Sequence, residues 1–173
     1  MNTAPVLEEA TQLTRLGLKG PQAAVWLQQR GLAIPQRVNA WAPLSDDATE
    51  RDIVARLGSS EFFLEHGNAD VLAALARELG SAPIGGVYPV LREDRAFVLS
   101  GATADAALAE VCNVNFSALR AEAREAVMTM MIGVAVTVVP QGNAAQRRYR
   151  IWCDPTYGDY LWESLQDVVR GHA

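Results

Sequence analysis

Residues that bind metals or build nucleophilic active sites are scarce in this sequence. It contains two cysteines, Cys112 and Cys153, and two histidines, His66 and His172. The cysteines lie far apart, so the sequence has no C-x-x-C zinc or redox pattern and no disulfide framework. A Ser or Cys nucleophile needs a histidine that is held by a third group, and His172 lies in the last residues. We therefore expect no metal site, no catalytic triad and a reducing, cytosolic setting.

Glycine-rich phosphate loops and long apolar runs are missing as well. Neither G-x-G-x-x-G nor G-x-x-x-x-G-K-[ST] occurs, so no dinucleotide or P-loop site is indicated. The longest apolar run, 127–139, is interrupted by Thr129, Gly133 and Thr137 and falls short of the ~18 residues of a membrane helix. Residues 1–10 are acidic, unlike a signal peptide. The formal net charge of −5 disfavours nucleic-acid binding, so we expect a soluble, cytoplasmic protein that binds neither membrane nor nucleic acid.

What the sequence does contain is a half-chain that occurs twice. Residues 16–20 form an apolar strand-like run that ends at a glycine and leads into an Ala/Leu-rich helical stretch, and residues 97–101 do the same. The two glycines, Gly20 and Gly101, are 81 residues apart. The same offset aligns Leu16 with Phe97, Leu18 with Leu99, Ala23 with Ala104, Leu27 with Leu108 and Ile53 with Val134. An internal repeat of this kind indicates the architectural unit of the fold.

Each half predicts the order strand–helix–strand–strand–helix, from period-2 and period-3.6 apolar patterns separated by turn residues. The first half covers 11–82 and the second covers 94–172. We predict an α+β fold with antiparallel or mixed sheets, in which the two halves pack as one body. From 62–64 onward the offset grows to 88 or 89, which aligns Phe63 with Ile151, because the second hairpin loop, 140–146, is longer.

Other stretches carry weaker patterns. Residues 1–10 are predicted to be a frayed lead-in, and 81–86, with a proline and two glycines, a linker. The repeat fails between 32 and 52, where Pro35, Pro43 and the polar residues Ser45, Asp46 and Asp47 predict a loop. In the corresponding part of the second half, 117–126 is compatible with a short helix and 127–132 with an extra strand.

Few residues suggest binding or catalytic chemistry. The turn at 17–20 precedes a helix and contains Lys19, so it could receive an anion, or it could serve only to turn the chain. Ser100 stands at the position of Lys19 in the second half, which favours the turn. Five carboxylates flank strand or helix ends, where acids are more often caps and solvated edges than catalysts. They are Glu61, Glu65, Asp70, Asp154 and Asp159.

The strand at 148–153 suggests a surface for a partner. Tyr149, Ile151 and Cys153 alternate onto one face, which we assign to the core. Arg148, Arg150 and Trp152 then occupy the other face, and Trp beside Arg is typical of interface hot spots. Trp162, at the edge of the apolar stripe of the last helix, extends this predicted partner surface. The alternative is a tryptophan covered by a neighbouring loop of the same chain.

Several segments together resemble the gamma subunit of heterotetrameric sarcosine oxidase, which is related to the folate-binding aminomethyltransferase of glycine cleavage. The resemblance extends from about residue 16 to residue 169. It rests on LKGPQAAVWL at 18–27, LGSSEFFL at 57–64, LSG at 99–101 with Cys112, YRI at 149–151 and YLW at 160–162. These pieces are short and mostly structural, and none is a catalytic signature. The resemblance implies an aminomethyltransferase-like fold.

The resemblance also implies a function. In such a complex the FAD, FMN, NAD, tetrahydrofolate and zinc belong to the alpha, beta and delta subunits, and the gamma chain contributes no catalytic, cofactor-binding or metal-binding residue. The expected role is a non-catalytic assembly subunit of a flavoenzyme that oxidatively demethylates sarcosine or a related N-methyl amino acid. The alternative is a free-standing folate-binding protein of the aminomethyltransferase kind. Such an enzyme is usually about twice as long and needs an acid in its pocket, which this sequence does not mark.

Overall fold

The computed structural model describes residues 4–44, 51–143 and 146–172. Its strands are β1 (Val6–Glu9), β2 (Thr14–Lys19), β3 (Ala40–Pro43), β4 (Ile53–Gly58), β5 (Glu61–His66), β6 (Tyr88–Val90), β7 (Arg95–Ser100), β8 (Val127–Met131), β9 (Val134–Asn143) and β10 (Gln146–Cys153). Its α-helices are α1 (Ala23–Gln29), α2 (Ala69–Ser81), α3 (Ala104–Val111) and α4 (Gly158–Gly171). The predicted polar loop residues Ser45, Asp46 and Asp47 fall outside the described residues.

The strands form two five-stranded sheets with the same topology. One compact unit is Leu13–Arg92, with strand order β3-β4-β5-β2-β6, and the other is Met1–Gln12 with Glu93–Ala173, with strand order β8-β9-β10-β7-β1. All described strand pairs are antiparallel. The two orders match strand for strand, so the predicted α+β fold of two repeated halves is confirmed. That the two halves pack as one body stays a prediction.

One edge strand of each sheet comes from a segment in which the sequence predicted no strand. The predicted lead-in contains β1, which pairs with β7, and the chain after the predicted linker contains β6, which pairs with β2. The prediction of a frayed lead-in is therefore wrong. These strands have only four and three residues, and their acidic residues and Pro89 are disfavoured in strands, so only the pairing selects them.

Gly20 and Gly101 occupy equivalent strand-to-helix turns, as predicted. Their φ angles are 125° and 118°, a region that residues with a side chain rarely adopt. In each turn the peptide oxygen of the glycine accepts a hydrogen bond from the first residue of the helix, at 3.1 and 3.2 Å. A Cβ atom would lie 2.2 Å from the carbonyl oxygen of Gly86 at Gly20 and 2.7 Å from that of Ala4 at Gly101. The chain just before β6 or β1 therefore crosses directly over each glycine.

The register corrects the predicted alignment of the returning strands. Leu16 pairs with Leu64 in the first sheet, and Phe97 pairs with Ile151 in the second. Because Leu16 and Phe97 correspond, Leu64 corresponds to Ile151, and the predicted alignment of Phe63 with Ile151 is wrong. A shift of one residue moves every side chain of a strand to the other face. The difference therefore decides which residues of β10 share a face with the helices.

The middle strands differ from the prediction in a similar way. Val54 faces Leu64 and Val138 faces Ile151, so Val54 corresponds to Val138, and the alignment of Ile53 with Val134 is wrong. The repeat does not fail between 32 and 52, because β3 pairs with β4 as β8 pairs with β9. Pro43 and Pro35 hid this strand from the sequence pattern, and proline is tolerated at a sheet edge.

Three expectations concerned the stretch from 117 to 146. The predicted extra strand at 127–132 is confirmed as β8. The predicted helix at 117–126 is wrong, because the chain forms only two 3-10 turns, Phe116–Ala118 and Ala121–Ala123. The predicted loop at 140–146 is also too long, because β9 continues to Asn143 and β10 begins at Gln146. Pro140 is compatible with this strand because β8 no longer pairs with β9 beyond Val138.

Each sheet packs two helices against one face. In the unit of β7 the buried cluster includes Phe97, Leu99, Ala107, Leu108, Val136, Val138, Ile151, Leu161 and Leu165. In the unit of β2 it includes Leu16, Leu18, Ala23, Leu27, Val54, Phe62, Leu64, Leu72 and Leu79. Among the described residues, no helix combines the length and hydrophobicity that a membrane span requires.

We expect Gly101→Ala to destabilise the chain strongly. The new Cβ would clash with the carbonyl of Ala4. The alanine would also have to adopt a positive φ angle, and this strain alone costs about 1–3 kcal/mol of stability. Gly80→Ala is the control, because Gly80 lies in α2 with nothing within 4 Å of its Cβ position. It should raise the free energy of unfolding by about 0.5–1 kcal/mol. Urea unfolding of both variants measures the difference, and equal midpoints would contradict the crossing of β1 over Gly101.

Candidate functional site

One face of β10 is core, as the sequence predicts. Tyr149, Ile151 and Cys153 are all buried and belong to the cluster that packs on α3 and α4. Burial raises the pKa of the Cys153 thiol to about 11, because the thiolate would lose its hydration. Cys112 is buried in the same cluster. Both thiols therefore serve as small apolar side chains in this unit.

The other face of β10 is not the exposed surface that the sequence suggested. Arg150 is 1% exposed and Trp152 is 2% exposed in the chain by itself. The cross-strand neighbours of Arg150 are Val98 and Val139, and Trp152 lies opposite Ala96. All three neighbours are buried as well. Both faces of β10 are therefore buried at these positions, and the premise that Arg150 and Trp152 are solvent-exposed is wrong.

The four residues of the predicted partner surface do not form one surface. Arg148 is half-buried at the start of β10. The ring of Trp162 packs on Phe97 with centroids 5.3 Å apart, and Phe97 shares the helix-covered face with Ile151. Since Trp152 lies on the opposite face, the sheet separates the two tryptophans. The alternative, that the chain itself buries Trp152, agrees with the structure. Whether a partner contacts any of these residues stays a prediction.

The strand-to-helix turn at Lys19 has polar groups that are already engaged. The Nζ atom of Lys19 lies 3.4 Å from Oε1 of Glu61, which also accepts a hydrogen bond of 3.0 Å from Arg92. The amide of Gln22 donates to the carbonyl oxygen of Gly86 at 2.9 Å. These contacts indicate that the turn serves to reverse the chain. They do not favour the alternative of an anion site.

A buried ion pair between β2 and β5 was missed by the sequence analysis. Arg15 and Glu65 face each other across the two strands, and their side chains are 4% and 0% exposed. Nε and Nη2 of Arg15 each lie 2.8 Å from Oε2 of Glu65. The sequence placed Glu65 at a solvated strand edge, because charged residues usually lie at the surface. The opposite charges at facing positions of two strands were the signal that could have identified the pair.

A second polar cluster ties α3 to β10. The hydroxyl of Tyr149 donates to Asp105, and Nε of Arg147 lies 3.7 Å from the other oxygen of that carboxylate. Burial, and then the hydrogen bond to Asp105, raise the pKa of Tyr149 well above its ordinary value of 10.0. Arg147 also donates to the carbonyl oxygen of Leu119 at 2.9 Å. The cluster links a helix, a strand and a loop, so its hydrogen bonds and ion pair stabilise the fold.

The remaining ionisable groups serve as caps or pairs at the ends of elements. Hydrogen bonds from the side chain of Thr156 and then from its amide, which lies 2.8 Å from the carboxylate, lower the pKa of Asp154. Asp154 therefore caps the turn that leads into the last helix. Arg95 binds both Asp159 and Glu9, at 2.8 and 3.2 Å. Within the described ranges, no three or more His, Cys, Asp or Glu residues lie together as a metal site would require.

Comparison with known proteins identifies the fold. No protein-family profile matches the sequence, and no curated protein matches it. Among solved structures, a chain of the heterotetrameric sarcosine oxidase from Corynebacterium sp. U-96, in complex with pyrrole 2-carboxylate, is similar. The TM-score is 0.76 and the identity is 20%, over 99% of this chain and 87% of that chain. Aminomethyltransferase T of the glycine cleavage system from Bartonella henselae is also similar, with a TM-score of 0.69 and 18% identity, over 94% of this chain.

The comparisons define the class of fold. The chain has an α+β, aminomethyltransferase-like fold with two antiparallel sheets. It spans most of the sarcosine oxidase chain but only 45% of the aminomethyltransferase. At these identities the likeness concerns the fold and not the activity.

Truncation of Trp152 should destabilise the chain itself. Trp152→Ala removes a side chain that is 2% exposed, and such a truncation costs about 3–5 kcal/mol of unfolding free energy. Tyr157→Ala is the control, because Tyr157 is 53% exposed and its truncation should change the stability by less than about 0.5 kcal/mol. Thermal unfolding of the single chain measures both. An unchanged melting temperature for Trp152→Ala would instead support the prediction that Trp152 lies on an exposed partner surface.

Proposed function

We propose that this chain is the gamma-type, non-catalytic assembly subunit of a heterotetrameric flavoenzyme that oxidatively demethylates sarcosine or a related N-methyl amino acid. One observation carries the proposal. The chain aligns over 99% of its length with a chain of a heterotetrameric sarcosine oxidase, and it covers 87% of that chain. The matched subunit is therefore also small, which is the size expected of the gamma chain.

The roles of the polar residues support a structural subunit. Glu65 pairs with Arg15, Glu61 pairs with Lys19 and Arg92, and Asp154 caps a turn. These groups are held in contacts that stabilise the fold. In the proposed complex, the FAD, FMN, NAD, tetrahydrofolate and zinc belong to partner subunits of the alpha, beta and delta kinds, and the assembly is cytoplasmic.

A second candidate is a free-standing folate-binding protein of the aminomethyltransferase kind. The observation in its favour is the fold match to aminomethyltransferase T, which covers 94% of this chain. Against it, the chain spans only 45% of that enzyme, so more than half of the enzyme has no counterpart here. The proposal of an assembly subunit therefore agrees better with the two coverages than the proposal of a free-standing enzyme.

Co-expression tests the proposal. Genes for large FAD- and folate-binding subunits should lie beside the gene for this chain, and a tagged form of the chain should co-purify with their products. The complex should oxidise sarcosine or another N-methyl amino acid, and its yield should collapse when this chain is left out. The chain purified alone should be colourless, and elemental analysis should detect no stoichiometric metal.

Stoichiometric flavin or metal in the isolated chain would contradict the proposal. Tight binding of tetrahydrofolate by the isolated chain, measured by calorimetry, would support the second candidate instead.

A further inference from the structure

The four edge strands of the two sheets differ in how they are protected against pairing. An exposed edge offers unpaired amides and carbonyls to other chains, and natural sheets protect it with charges, prolines or short strands. In the described structure β1 carries Glu8 and Glu9, β3 ends at Pro43, and β6 has only three residues, including Pro89. The fourth edge, β8, has the sequence VMTMM and carries none of these protections.

The outer backbone groups of β8 can be assigned from the hairpin that follows it. Ile132 and Gly133, both at positive φ, connect Met131 to Val134 in a two-residue hairpin. Met131 and Val134 therefore exchange hydrogen bonds, and so do Thr129 and Val127 with their partners on β9. The amides and carbonyls of Met128 and Met130 consequently point away from β9. Because β8 is the last strand in the sheet order, no described strand pairs with this edge at Met128 or Met130.

The side chains of β8 add an uncharged surface to this edge. Met128 and Met130 are 53% and 55% exposed, whereas Met131 is fully buried in the helix-covered core. Residues 126–135 contain no charged side chain, although a fifth of the sequence is charged. Exposed methionines adapt to irregular apolar partners and are common on binding surfaces. A charged partner strand would lose its hydration here without compensation, so the complementary partner is an uncharged one.

One end of the edge is already occupied, which bears on the identity of the partner. Cys112 forms an isolated antiparallel bridge with Met131, and the amide of Ile132 donates to the carbonyl oxygen of Val111 at 2.9 Å. A second copy of β8, paired about a two-fold axis at Met128, would need its residue 125 where Cys112 lies. Symmetric pairing of two copies is therefore obstructed. The same bridge sets Asn113 opposite Met130. A strand from a different chain can pair at Met128, lie beside the exposed Met130 side chain, and turn away before the Met130 carbonyl.

We propose that the outer edge of β8, at Met128 and beside the exposed side chain of Met130, is a docking site for an extended, uncharged aliphatic strand of a partner subunit, which adds to the sheet. This inference rests on the proposed function and names the surface through which the subunit binds. Strand addition derives its affinity from main-chain hydrogen bonds and its specificity from alternate side chains, here the two methionines.

Two variants test the edge in the full chain, co-expressed with the large subunits. Met128→Pro removes an amide that points outward and leaves the bonds to β9 in place. Met128→Lys keeps every backbone group and adds a charge to the edge, so it remains informative if the proline disturbs the strand. Val71→Lys is the matched control, because Val71 is 38% exposed on α2, in the other unit. We expect both Met128 variants to reduce the co-purified large subunits at least tenfold, and the control to match the wild type.

The outcomes separate this inference from the proposed function. A complex that forms undiminished with both Met128 variants overturns the docking site and leaves the proposed function standing. A wild-type chain that fails to co-purify with the large subunits overturns the proposed function, and the docking site with it. If the free chain is a dimer by sedimentation at micromolar concentration and Met128→Pro makes it a monomer, the occupant is a second copy, and the choice of a partner subunit is wrong.

Discussion

The passage of one backbone segment over a glycine is the constraint on which both sheets depend. At Gly20 and Gly101 the strand ends, the helix begins, and the carbonyl of Gly86 or Ala4 fills the space that a side chain would need. Only this crossing allows β6 to reach β2, and β1 to reach β7. The repeated sequence pattern therefore preserves a close approach of two backbones as well as a turn. The fold needs glycine there, because any side chain would push the crossing strand away.

Burial of both faces of the sheets is the second physical feature that shapes the molecule. Two helices cover one face of each sheet, and buried residues on the other face include Trp152 and Arg150 in one unit and the Arg15–Glu65 pair in the other. A buried ion pair adds little net stability, although loss of one partner is costly, because the remaining charge is left without compensation. Because buried residues lie on both faces of each sheet, the exposed sheet edges are the places that offer backbone groups for binding. Among the described edges, β8 is the least protected.

The sequence predicted what local pattern and repetition can encode. The offset between Gly20 and Gly101, the apolar helix faces and the alternation in β10 gave the two α+β halves and the core position of Tyr149, Ile151 and Cys153. Short strands such as β1 and β6 escaped prediction because their residues have no strand preference without a partner. The expected exposure of Arg150 and Trp152 was wrong because the sequence of β10 does not reveal that its second face is covered as well. A charged or amphipathic residue such as Arg150 normally indicates solvent. The unprotected edge of β8 could not be recognised from the sequence, because only the strand order shows that β8 lies at the edge of its sheet.

Amide hydrogen exchange along β8, compared between the free chain and the assembled complex, tests the central claim most directly. In the free chain the amides of Val127 and Thr129, which bond to β9, should exchange slowly, while that of Met128 should exchange fast. In the complex the exchange of the Met128 amide should slow by at least tenfold, because a partner strand accepts its hydrogen bond. If the complex forms and the Met128 amide still exchanges as fast as in the free chain, this subunit does not assemble through the edge of β8.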